Sequence, residues 1–170
     1  MEVGIIEDCL FCQEKTAENG YTFCASADFS ETGFLRWYNE VGYDACFEIF
    51  DPLGFQRAMT RAIRKKGFFF ASGEPIYVDG DIDGESERRH TPPAFVKQKE
   101  YAWQTEYRWV WTAHSSNTDP VPEVVVLNNP RRFCRPVALI DGGNIRYLVP
   151  ASQMNSLTAG VIPGPFQIIT

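Results

Sequence analysis

The chain has 170 residues, enough for one domain with a substantial core and too few for two comfortable ones. Its 22 acidic and 16 basic side chains give a net charge of −6, so no global electrostatic drive toward nucleic acid exists. No apolar run reaches the roughly eighteen residues of a membrane span, and the start Met-Glu-Val-Gly-Ile-Ile-Glu-Asp lacks the basic-then-apolar pattern of a secretory signal, so a cytoplasmic protein is expected.

The five cysteines (Cys9, Cys12, Cys24, Cys46, Cys134) are odd in number and follow no framework spacing. Reduced, mostly buried thiols are expected rather than a disulfide scaffold. Cys9 and Cys12 form a lone Cys-x-x-Cys pair. Structural zinc needs four ligands; Cys24 is the nearest third, while His90 and His114 are far in sequence, so no metal site is expected.

In chain order, Gln13 to Gly20 looks like a polar helical turn, and Tyr21 to Ser26 reads as a short strand. Ser30 opens a helix running to about Glu40 and stopped near Gly42, and Ala45 to Phe50 is a second strand. Asp51-Pro52 offers an N-cap carboxylate followed by a first-turn proline. Phe55, Met59, Ala62 and Ile63 then recur at helical spacing, with Arg57, Arg61, Arg64, Lys65 and Lys66 on other faces and Gly67 placed to end the helix. This basic face could meet phosphates, but charge on an outer helix face is usually solvation alone.

Phe68 to Ala71 and Ile76 to Val78 read as strands around the turn Ser72-Gly73-Glu74-Pro75. Asp79 to His90 is a polar loop that starts like a calcium loop. His90, however, stands in the twelfth position, where a bidentate glutamate is required, so a solvated acidic turn is the reading. Thr91-Pro92-Pro93 predicts a helix through Lys97 to about Tyr101. Ser115 to Pro122 is a loop; Glu123 to Leu127, Val137 to Ile140 and Ile145 to Val149 are strands, with Asp141-Gly142-Gly143-Asn144 a hairpin turn. The tail from Ala151 is expected to cover a sheet edge. The predicted architecture is one α+β domain over residues 1–170, with a mixed, mainly antiparallel sheet of about six to eight strands and two or three helices.

The most informative run is Lys97 to Thr112. Thr105, Tyr107, Trp109 and Trp111 alternate onto one face, as a core strand does, and Gln104, Glu106, Arg108 and Val110 take the other. An amide, a carboxylate and a guanidinium in series suit a face that lines a cleft or meets water. Side chains two apart on a strand point the same way, so Gln104 and Glu106 could share one ligand. A carboxylate so placed can stabilise an oxocarbenium-like centre. The plainer alternative is a solvent-facing strand with a Glu106–Arg108 pair.

Several blocks resemble an uncharacterised bacterial domain family: Cys24-Ala25-Ser26, then Trp37-Tyr38 with Gly42 and Phe50-Asp51, then Lys97 or Lys99 with Trp103 and Glu106-Tyr107-Arg108. The likeness spans roughly Tyr21 to Trp111. That family is distantly similar to ADP-ribosyltransferases. The resemblance implies Glu106 as catalytic glutamate, Gln104 as the residue that orients the acceptor, and Ser26 as the serine of a central strand. It also implies NAD as candidate substrate, with Trp37 or Tyr38 stacking on nicotinamide; Arg108 is a separate candidate for ligand or cofactor binding, since with Glu106 it could orient a small molecule. No Arg or His precedes Ser26, so the first-strand anchor of those enzymes has no counterpart.

The residues leave two further readings open. Trp37, Trp103, Trp109 and Trp111, with Phe68, Phe69 and Phe70, could line an aromatic pocket for a small molecule. The chain could instead be an interaction module without chemistry, a homo-oligomer through an exposed strand edge. No Gly-x-Ser-x-Gly, phosphate-cradling loop or His-Glu-x-x-His occurs.

Overall fold

Caps and prolines set where the elements begin, and hydrophobic spacing sets what each one buries. The computed structural model describes residues 20–80, 91–114 and 125–150, together with the backbone of 159–160. Cys9, Cys12, His90, the turn expected over 13–19 and the loops at 81–90 and 115–122 lie outside the described residues.

Strand β1 (Gly20–Ser26) leads into helix α1 (Glu31–Val41), strand β2 (Ala45–Ile49) and helix α2 (Pro52–Ile63). Ser30 Oγ accepts from the Gly33 N–H at 3.0 Å, and Asp51 Oδ1 accepts from the Gly54 N–H at 2.9 Å, so each helix starts on its predicted cap. Gly42, at φ 84°, ends α1 with its N–H on the Tyr38 carbonyl. α2 gives way at Arg64, short of Gly67. That glycine opens β3 (Gly67–Gly73) instead, because a Cβ there would lie 2.6 Å from the Thr112 carbonyl oxygen of the neighbouring strand.

The remaining strands are β4 (Ile76–Val78), β5 (Val96–Gln98), β6 (Glu106–Ala113), β7 (Cys134–Asp141), β8 (Asn144–Tyr147) and β9 (Ala159–Gly160). The helix expected from Thr91 to Tyr101 does not form. Pro93–Phe95 is a 3-10 turn, Val96–Gln98 is β5, and Lys99–Gln104 is a second 3-10 stretch. Two prolines leave only a short run in which to nucleate a helix, and parallel pairing with β4 wins over that run. Residues 125–127 form no strand; Val125 and Leu127 pack against the core while Val126 is exposed, so their alternation is satisfied without a ladder.

The fold is α+β and mainly antiparallel, with the strands divided among three sheets rather than gathered in one. The first has the order β1-β6-β3, the second β8-β7-β2-β9, and the third is the parallel pair β4-β5. Gly142 and Gly143, at φ 55° and 81°, make the predicted two-residue hairpin between β7 and β8. Ala159–Gly160 pairs with β2, so this part of the tail does cover an edge.

One core joins Phe23, Trp109 and Trp111 of the first sheet to Phe55, Met59 and Ile63 of α2, and to Ile49, Phe133 and Cys134. Ala62, expected on that stripe, is exposed. The Trp111 indole N–H donates to Thr60 Oγ1 at 2.8 Å, fixing α2 on the sheet. A second core packs Phe34 of α1 on Cys46, Val137 and Ala138. No helix among the described residues is long and apolar enough to cross a membrane.

Across β2 and β7, Glu48 is fully buried opposite Arg135, whose Nε lies 2.5 Å from its Oε2. Arg135→Ala removes one cation from that buried carboxylate and should lower stability by about 1–3 kcal/mol. Glu40→Ala breaks a half-exposed pair with Arg36 and should change stability by about 0.5 kcal/mol or less. Urea denaturation of both variants measures the difference.

Candidate functional site

The aromatic alternation of β6 decides where its polar residues go. Tyr107, Trp109 and Trp111 turn to the core, so Glu106, Arg108 and Val110 turn to the opposite face. A cover excludes water there, and Glu106 is only 7 % exposed. The segment from Ala94 to Gln104 supplies that cover.

The attachment is electrostatic. Arg108 Nε donates to Glu106 Oε2 at 2.8 Å, and its Nη1 donates to the Ala94 carbonyl at 2.5 Å and reaches the Val96 carbonyl at 3.4 Å. Lys97 Nζ donates to the other carboxylate oxygen, Oε1, and also to Gln104 Oε1. Both oxygens of Glu106 therefore meet a cation. The Lys97 ammonium also lies 5.0 Å from the centre of the Tyr101 ring.

Register places a second residue beside Lys97. In the parallel β4-β5 pair Tyr77 stands opposite Lys97, so both side chains share a face. The Tyr77 phenol oxygen accepts the Glu106 backbone N–H at 2.9 Å. Burial raises the Tyr77 pKa above its ordinary value, and the bond from the Glu106 N–H works against that shift.

Gln104 reaches the cluster by a route the alternation did not predict. It belongs to the 3-10 stretch rather than to β6, and Thr105 between the two is left-handed at φ 42°. A β-branched residue in that region carries strain of about 1–3 kcal/mol. The reversal is held at both ends: the Thr105 N–H bonds to the Ala102 carbonyl at 3.1 Å, and the Thr105 carbonyl accepts the Ala27 N–H at 2.6 Å. It brings the amide of Gln104 and the carboxylate of Glu106 onto one ammonium.

The β1-β6 register sets Ser26 opposite Glu106 and Cys24 opposite Arg108, on the face of the cluster. Burial pushes the Cys24 thiol up to about 11; the Glu106 carboxylate adds to the shift, and Arg108 and Lys97 offset part of it. Cys24 is thus a protonated thiol at neutral pH rather than a nucleophile.

Of the sequence-predicted residues, Gln104, Glu106, Ser26 and Arg108 come together. Trp37 packs on Trp103, the residue before Gln104, with ring centres 5.0 Å apart, and the Arg36 guanidinium lies 4.0 Å from the centre of the Trp103 ring. Among the described residues no hydrogen bond or ring contact ties the Tyr38 side chain to the cluster. Trp109, Trp111 and Phe69 pack in or against the first core. Arg57, Arg61, Arg64, Lys65 and Lys66 are exposed, and His114 Nε2 sits 2.9 Å from the Arg64 carbonyl oxygen. No cluster of three metal-ligating side chains occurs among the described residues.

Lys97 and Tyr77 complete the cluster. Lys97 was visible as the lysine ahead of Glu-Tyr-Arg, but not its bonds. Tyr77 gave no signal, because a three-residue strand has no period to read. Comparison with family models, with curated proteins and with solved structures finds no match for this chain.

The buried thiols give this part of the molecule a pH dependence. Cys24 rises to about 11, and burial takes Cys46 and Cys134 to about 12, all from an ordinary 9.0. A thiol whose pKa is raised by folding stabilises the protein fully below the unfolded value, and that contribution is lost as pH rises through the folded one. Stability should therefore fall between about pH 9 and about 12. Cys24→Ala should flatten the fall by about 1.4 kcal/mol per pH unit from about pH 9 to about 11. Urea denaturation across that range checks it; an unchanged slope in the variant contradicts it.

Proposed function

We propose that Gln104, Glu106 and Ser26 form the acceptor side of a dinucleotide site of the ADP-ribosyltransferase plan, with NAD as the ligand. The observation that supports this reading is the convergence of the Gln104 amide and the Glu106 carboxylate on a single ammonium, with Ser26 opposite Glu106. Two acceptor oxygens that share one ammonium can equally accept from the hydroxyls of a ribose.

In this reading Lys97 occupies the acceptor pair in the free protein. Its long, flexible stem lets the ammonium leave, and the pair of Lys97 and Arg108 against one carboxylate leaves a positive charge in excess for a pyrophosphate. Trp37 and Trp103, whose rings pack at a tilt of 51° and of which Trp103 precedes Gln104 in the chain, offer the aromatic surface for the nicotinamide ring. Tyr38 is left out of the site. The activity proposed is binding, in a cover that swings with Lys97.

A ligand that binds only the native state raises the melting temperature with its occupancy, by about 2.7 kcal/mol of stability at a hundred times its dissociation constant. Wild type should show a saturable rise with NAD, and Glu106→Gln, which keeps shape and removes the charge, should lose it. Absence of a shift at up to about 10 mM NAD contradicts the proposal.

A further inference from the structure

Strand β3 lies at the margin of the first sheet: β6 pairs with one side, and among the described residues no strand pairs with the other. An unpaired edge presents a row of backbone donors and acceptors to any extended chain. Edges are commonly protected by charge or proline, and Gly67–Gly73 contains neither. Phe68 and Phe70 on this strand are 52 % and 47 % exposed. Phe70 has no partner on β6, since the register steps from Phe69–Trp111 to Ala71–Val110.

Two glycines and opposite charges frame the edge about Phe70. Gly67 and Gly73 stand at equal distance on either side; the exposed basic run Arg64-Lys65-Lys66 precedes the strand, and the exposed Glu74 follows it. A second β3 laid antiparallel with the two Phe70 residues face to face sets Gly67 against Gly73 and each basic run beside the other copy's Glu74. A parallel arrangement sets basic run beside basic run, which repels.

We infer that β3 is a self-pairing edge: two copies of this chain associate about a two-fold axis at Phe70, with β3 antiparallel to β3. The pairing satisfies the edge groups of both copies and covers Phe68 and Phe70, and an isologous contact of this kind closes at two copies. The inference is independent of any ligand at Glu106.

Sedimentation equilibrium of the full chain from about 1 µM to about 1 mM should show a reversible monomer–dimer equilibrium. Phe70→Lys should abolish the dimer, with its circular dichroism unchanged because the side chain is exposed. Glu74→Lys should weaken association about tenfold, and Lys65→Glu added to it should restore most of the loss. Phe70→Cys should give a covalent dimer under mild oxidation, because directly opposed antiparallel residues lie within disulfide reach. Wild type and Phe68→Cys, as thiol and off-register controls, should not. A monomer at every concentration overturns the inference. So does a dimer that survives Phe70→Lys or fails to cross-link through Phe70→Cys.

Discussion

Glu106 brings one negative charge under cover, and the two cations that neutralise it come from different parts of the chain. Arg108 is its neighbour on the same face of β6, while Lys97 lies on the segment that covers that face. The carboxylate is therefore a joint between sheet and cover. A buried ion pair gives little net stability over well-packed apolar side chains of the same volume, whereas removing one partner leaves a charge that water cannot reach. The cluster matters for the positions it enforces. Val96–Gln98 is extended where Thr91-Pro92-Pro93 alone predicts a helix, and Lys97 stands between the side-chain oxygens of Glu106 and Gln104.

The rest of the molecule makes such a joint affordable only because the opposite face is rigid. Tyr107, Trp109 and Trp111 lock β6 to α2 and to Phe133, and Thr60 fixes the Trp111 indole. With that side held, strain at Thr105 can persist and Gln104 is turned back toward Glu106. The excluded water also strengthens each charge interaction inside the cluster. The second sheet repeats the theme: Glu48 is buried on β2 and met by Arg135 of β7, again a carboxylate paired with a cation across strands. The exposed phenylalanines of β3 stand apart from both clusters.

Much of this was legible in the sequence. Ser30, Gly42, Asp51 and Pro52 mark helix ends by local chemistry, and the alternation from Tyr107 to Trp111 needs no partner to be read. Alternation and resemblance together point to Gln104, Glu106, Arg108 and Ser26 as candidates, and the structure brings these four residues near one another. Their route was misread at Gln104, since a left-handed threonine leaves no trace in a hydrophobic pattern. Gly67 carries two meanings, helix end and close strand approach, and the Thr112 carbonyl oxygen, 2.6 Å from where a Cβ would stand, decides between them. The stretch Thr91–Tyr101 was lost because its conformation is set by long-range partners: Tyr77 in β4 and Glu106 in β6. Local propensity cannot see either.

The central claim is that the Glu106 carboxylate holds the cover in place, and native-state hydrogen exchange tests it most directly. In Glu106→Ala, compared with wild type, the amides of Val96, Lys97 and Gln98 should lose protection while those of Phe23, Trp109 and Trp111 keep theirs, since the core face is untouched. No loss in Val96–Gln98 would show that the cover stands without the carboxylate, and equal loss across both sets would show that it opens only together with the core; either result contradicts the account.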